Sequence, residues 1–300
     1  MQAGTSRFRV LEGCTHRMSG SFAAALAAGL MAATPLSAGA QTGSIEINQA
    51  RAVAGGVTAG DAAGFPVTIS EPGSYSLTGN LTLSAGDVPG PGRTHAIEIT
   101  ASNVTLMLNG FAIQGPGICG FDATTGAATC VGHLPTTGVF IALAGQRATI
   151  LGPGRITGLF NAIASGAPLT VVKNLEAYDN ATDAIQLGGS SVTEIGGGSS
   201  GAVEDCKAFR NGGVGILVNL RGAIRGSVAT NNGSFGMSAG LETTITNSVA
   251  TVNSLGGFTM NVGLFSANVV GDNFGDDPVF LGTDAGNNTC KKRGQGTGPC

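Results

Sequence analysis

The sequence predicts an all-β chain wound from short parallel strands, and three observations carry that prediction. "SVATNNGSFGM" at residues 227–237 returns as "SVATVNSLGGF" at residues 248–258, a period of 21 residues. The apolar and β-branched runs between glycines are only about three to six residues long, the length of strands and not of helices. The 51 glycines among 300 residues supply the corners that such a coil needs at every turn. A period of 21 also falls short of the roughly 33 residues that a helix-pair repeat requires. If each repeat is one coil, every strand pairs with its copies above and below at about 4.8 Å per coil.

From the start of the chain, residues 1–40 read as a secretory address. Arg7, Arg9 and Arg17 precede the apolar run "FAAALAAGLMAA", and "SAGA" offers Ala38 and Ala40 for cleavage. The apolar run is too short for the roughly 20 residues of a membrane span, and no later segment qualifies. Residues 41–64 form a lead-in or cap, and residues 65–281 form the coiled body. Within it, "FPVTISEPGSYSLTGNLTL" at residues 65–83 has the alternation of two strands around a Pro-Gly turn. "VTLMLNGFAIQGPG" at residues 104–117 and "TILGPGRITGLFNAIAS" at residues 149–165 read as earlier, less regular coils. Residues 282–300 form a Gly-rich cap that covers the last coil, because an open strand edge invites pairing with another molecule.

The second half of the chain aligns in four rows: "NLEAYDN" from Asn174, "DCKAFRN" from Asp205, "GSVATNN" from Gly226 and "NSVATVN" from Asn247. One column holds Ala177, Ala208, Ala229 and Ala250, and another holds Asn180, Asn211, Asn232 and Asn253. The asparagines are 31, 21 and 21 residues apart, and the long step contains a looped-out Gly-Ser insertion, "GGSSVTEIGGGSSG". Asparagines repeated at one corner tolerate a left-handed backbone, and their amides hydrogen-bond from coil to coil as a ladder. Removing residues 1–40 leaves five cysteines. Cys119 with Cys130, and Cys290 with Cys300, enclose short loops and are the expected disulfides. Cys206 falls in an inward column with Leu175, Ser227 and Ser248 and is expected as a buried free thiol.

Charge excludes one class of function. With 11% charged residues, a net charge of −3 and a single short basic run, Lys291 to Arg293, nothing supports nucleic-acid binding. The strings "GSYSLTGNLTL", "ASNVTLMLNGFAIQGPG" and the repeated Asn followed by Gly-Ile, Gly-Met or Gly-Phe resemble secreted right-handed parallel β-helix proteins of the pectin-lyase-like superfamily. The resemblance covers about residues 60–285 and implies a single-stranded right-handed parallel β-helix, a solenoid with coils of about 21–22 residues. That superfamily includes polysaccharide lyases, hydrolases, tailspikes and adhesins, so the resemblance does not fix an activity. The hydrolase motifs are absent: Asp276 and Asp277 follow Gly275, but no Gly-His-Gly or Arg-Ile-Lys follows them.

Charge is concentrated on two neighbouring coils, from Lys173 to Arg210, with Arg225 on the next. A polysaccharide lyase working there needs a cation beside a uronate carboxylate and a base for the α-proton, roles open to Lys207 and Arg210 beside Asp179 and Asp183. Lys173, Glu204 and Arg225 are the matching substrate-contact candidates. The same alignment stacks Lys173, Glu204 and Arg225 in one column, Glu176 and Lys207 in a second, and Asp179 and Arg210 in a third, as an exposed cross-strand ladder of ion pairs would. No metal-ligand spacing appears. Calcium at Asp272, Asp276, Asp277 and Asp284 competes with a solvated acidic turn. Stacking of sugars on aromatic rings is not expected, because most of the 13 phenylalanines fall where the coils would bury them. The expected function is a secreted, periplasmic or cell-surface scaffold that contacts extracellular polysaccharide or a cell-surface partner. A polysaccharide lyase or glycoside hydrolase is the alternative.

Overall fold

A computed structural model describes residues 43–88, 94–188, 200–275, 279–280 and 282–298. Each coil contributes strands to three faces, and the pairing along all three is parallel. The first face stacks Gly73–Leu77, Val104–Met107, Thr149–Leu151, Val171–Lys173 and Ser200–Glu204. The second stacks Ala112–Gln114, Arg155–Thr157, Glu176–Tyr178, Lys207–Phe209, Val228–Thr230, Val249–Thr251 and Val269–Gly271. The third stacks Val67–Ile69, Thr94–Ile99, Thr136–Ile141, Asn161–Ser165 and Ile185–Leu187. In the last coils Ile216–Arg225, Phe235–Thr246 and Gly256–Ser266 run from the third face to the first without a break. The chain is a parallel β-helix.

The sequence explains the register. Ala177, Ala208, Ala229 and Ala250 pair in direct register on the inside of the second face, all fully buried. The third face presents Ile163, Ile185, Ile216, Met237 and Phe258 to the same interior in one register column, so small residues on one wall accommodate large ones on another. Glycine serves close approach as much as turning. A methyl on Gly236 would lie 2.6 Å from Asn253 Nδ2 and 2.9 Å from the Ala250 methyl.

Two tight corners repeat in each coil. Between the second and third faces, Asn180, Asn211, Asn232, Asn253 and Asn273 are buried. Their Nδ2 atoms donate to the next Oδ1 at 2.9, 3.0, 3.0 and 3.0 Å. Each of these Oδ1 atoms also accepts the backbone N–H of the asparagine one coil earlier. The left-handed backbone falls one residue before each asparagine, at Asp179, Arg210, Asn231, Val252 and Asp272, with φ between 52° and 59°. This corrects the expectation that the asparagines themselves adopt it. The preceding residue makes the bend, which leaves the asparagine free to point its amide along the coil axis. Between the first and second faces a second buried column runs through Cys206, Ser227, Ser248 and Asn268. The N–H of each of the first three bonds to the next side-chain oxygen at 3.2, 3.3 and 2.9 Å.

Residues 65–83 contain three strands where two were expected: Val67–Ile69, Gly73–Leu77 and Leu81–Thr82 belong to the third, first and second faces and pair with other coils. The Pro-Gly segment is therefore a corner and not a hairpin. The one long excursion among the described residues is the hairpin of Ile118–Phe121 and Ala128–Val131, closed by the Cys119–Cys130 disulfide. It lies as a strap along the asparagine corner. Cys119 Sγ sits 3.3 Å from the Asn180 carbonyl, Ser254 Oγ donates to the Gly126 carbonyl, and Phe121 packs edge-on to Phe274. Arg293, from the C-terminal cap, stacks 3.5 Å over the Phe274 ring and donates to the Ala123 carbonyl. Small residues under the strap make room for it: a methyl on Gly212 would lie 3.0 Å from Cys130 Sγ, and one on Gly233 would lie 2.8 Å from the Ala128 methyl. The expected pair Cys290–Cys300 involves Cys300, which lies outside the described residues, as do the leader and most of the Gly-Ser insertion.

Candidate functional site

The charged band is built from the register. On the first face Lys173, Glu204 and Arg225 are successive partners, and Glu204 accepts from Lys173 at 2.7 Å and from Arg225 at 3.1 Å. The hydrogen bond from Lys173, ahead of the weaker contribution of Arg225, holds the Glu204 carboxyl below the usual glutamate range. On the second face Lys207 meets Glu176 at 3.0 Å. Arg210 grips Asp179 with two bonds, Nε to Oδ1 at 3.0 Å and Nη2 to Oδ2 at 2.9 Å. Asp183 stands apart from this group, past the asparagine corner. Its Oδ1 accepts the Val214 N–H at 2.8 Å, and burial raises its carboxyl above the ordinary aspartate value. Asp179, Asp183, Lys207 and Arg210 therefore do not converge on one point: two pairs bridge adjacent coils, and the remaining acid is bound by backbone.

The cysteine of the inward column is buried and free, and burial pushes its thiol up to about 12. His133 donates through Nε2 to the Asp179 carbonyl at 2.8 Å and pins the base of the strap. Among the described residues no group of three or more His, Cys, Asp or Glu is placed to hold a metal. Asp272 pairs with Lys291 at 2.9 Å, and Asp284 accepts from Gly286 N and Asn288 Nδ2. Asp276 and Asp277 lie outside the described residues.

The aromatic residues depart from expectation. Of the described phenylalanines, Phe65, Phe258 and Phe265 are buried, whereas Phe140 and Phe209 reach the outer surface. Alternation along the short strands turns both outward. Tyr178 and Phe209, partners on the second face, stack at 4.7 Å with Arg210 beside them. On the third face His95 and Phe140 stack at 4.3 Å. They border a depression of about 360 Å³ whose other walls include Thr137, Asn161, Ala164 and Gln186. The sequence hides this depression, because the strap separates Thr94–Ile99 from Thr136–Ile141 and conceals that they are adjacent coils.

Parallel strands on three faces, with polar stacks at two corners, define a parallel β-helix with the pectin-lyase-like fold. A rhamnogalacturonan lyase shares it, at TM-score 0.50 and 18% identity over 71% of this chain and 62% of that one. A mannuronan C-5 epimerase A-module from Azotobacter vinelandii (TM-score 0.35, 14% identity, 78% of this chain and 80% of that one) and the pectate lyase Pel9A (TM-score 0.32, 14% identity, 74% and 52%) are more distant. The chain thus spans less than two thirds of the rhamnogalacturonan lyase. No protein-family model and no curated protein matches the sequence. The likeness carries the fold and no activity.

Proposed function

We propose that this protein is a secreted or envelope-associated β-helix that contacts extracellular polysaccharide, or a partner at the cell surface, through a lateral face and does not turn it over. The observation that carries this reading is the pairing of the basic side chains in the charged band. Lys173, Lys207, Arg210 and Arg225 each hold a carboxylate on an adjacent coil. A base that removes an α-proton must present a free lone pair to substrate, and a cation that neutralises a uronate must be free to meet it. Each of these basic groups already meets a carboxylate on an adjacent coil, which a uronate would have to displace. The strap disulfide suits an oxidising compartment. No described helix is long and apolar enough to cross a membrane. The rhamnogalacturonan lyase that shares the fold acts on a polysaccharide, and that supports the class of partner. The competing reading is a polysaccharide lyase or hydrolase, with or without calcium. Incubation with a panel of acidic and neutral polysaccharides, with and without calcium, while following ultraviolet absorbance of unsaturated ends and release of reducing ends, separates the two. The expected result is no turnover. Turnover that disappears in Lys207→Ala or Arg210→Ala would establish the enzyme.

A further inference from the structure

We propose that the depression on the third face is a binding site for a neutral sugar unit of a glycan, seated against the His95–Phe140 ring pair. The proposal rests on the polysaccharide-contact reading above and names its ligand class and position. The slot follows from register. Phe140, Ala164 and Gln186 are direct partners on three successive coils. At about 4.8 Å per coil, Phe140 and Gln186 stand about 10 Å apart with the small Ala164 as the floor between them. One wall is therefore an aromatic plane and the other a primary amide. The C–H face of a pyranose ring packs on such a plane as other apolar surface does, and its hydroxyls find donors and acceptors in Gln186, Asn161 and Thr137. The volume, about 360 Å³, is within the range of small-ligand sites.

The ligand class follows from what lines the slot. Among the described residues, its lining includes no Lys, Arg, Asp or Glu. A uronate entering it would lose hydration from its carboxylate without meeting a cation, which is costly. Glu98, in register with Phe140 on the coil before and so behind the aromatic wall, adds repulsion toward an anion. The basic side chains of the charged band lie on the other two faces and are already paired. An uncharged hexose meets none of these obstacles.

The test is calorimetric titration at pH 8, where an ordinary imidazole is neutral, with β-glucan, mannan and galactan oligosaccharides and, separately, with oligogalacturonate and oligoguluronate. Phe140→Ala removes the platform, and Ala164→Phe fills the slot from outside the core. Thermal melts establish that both variants fold, and Thr251→Ala on the second face is the control. The expected result is binding of at least one neutral series, weakened at least 10-fold by both slot variants and unchanged by the control. Binding of the uronates alone, indifferent to both slot variants, would overturn this site while leaving the polysaccharide-contact reading intact. Neutral binding that survives both slot variants would overturn the site in the same way. Failure of every glycan to bind would overturn both.

Discussion

The buried asparagine amides and the paired charges show opposite ways of placing polar groups on a coil. Asn232 is fully buried, and each of its amide atoms is used. Its Oδ1 accepts from Asn211 N and Nδ2, and its Nδ2 donates to Asn253 Oδ1 and the Ala208 carbonyl. Asn232→Ala strands buried donors and acceptors on two neighbouring coils, and each stranded group costs about 1–3 kcal/mol. Chemical denaturation should therefore show a loss on the order of 3 kcal/mol. A loss under about 0.5 kcal/mol would mean that water or a rearranged corner satisfies the partners. The Lys207–Glu176 pair, with both side chains substantially exposed, belongs to the class of surface pairs that contribute about 0–1 kcal/mol. Much of this was legible in the residues. The asparagine and alanine columns follow from spacing alone, and the column of Cys206, Ser227 and Ser248 was visible as an alignment. Its chemistry was not, because serine and asparagine look unrelated until their shared role, accepting a backbone N–H from the coil before, is seen at the corner, where Cys206 supplies the first of those N–H groups. The left-handed position was misplaced by one residue because aspartate, arginine and valine occupy it, and no composition rule singles out Val252.

Among the elements, the strap was the least predictable. The two cysteines told of a closed loop, but its direction along the corner is set by residues far away in sequence. Gly212, Gly233, Ser254 and Phe274 form the bed, and Arg293 clamps the far end. The strap thereby ties an early coil to the C-terminal cap. Cutting its covalent closure with Cys119→Ser/Cys130→Ser should lower stability by about 2–4 kcal/mol, the usual effect of losing a native disulfide. Arg293→Ala should reproduce part of that loss. Hydrogen exchange localises the effect. The amides of Gly212, Gly233 and Ser254, which bond under the strap to Asn180, Asn211 and Asn232, should exchange faster in both variants, while the Ala177 and Ala208 strands stay protected. Uniform acceleration across all coils would show that the strap acts on global stability and has no local hold. The outer aromatic pairs were missed at this same scale. Alternation sends neighbouring side chains of a short strand to opposite sides, so a phenylalanine in it is as easily exposed as buried.

For the molecule as a whole, the period fixed the architecture, and the interruptions concealed the sites. The regular steps after Asn211 gave strand, face and register, whereas the strap and the Gly-Ser insertion broke the period where the third-face depression is assembled. Coil stacking also explains the pairing in the charged band: register brings opposite charges together coil after coil. Both the asparagine stack and the proposed slot depend on successive coils superimposing. Paired cysteines on the outer surface test that superposition most directly. Val228 and Val249 are direct partners on the second face, about 4.8 Å apart, within the range that a disulfide spans, whereas Val228 and Val269 are two coils and about 10 Å apart. Under mild oxidation Val228→Cys/Val249→Cys should form an intramolecular disulfide rapidly and Val228→Cys/Val269→Cys should not. Equal rates for the two pairs, or rapid closure of the second alone, would contradict the stacked coil.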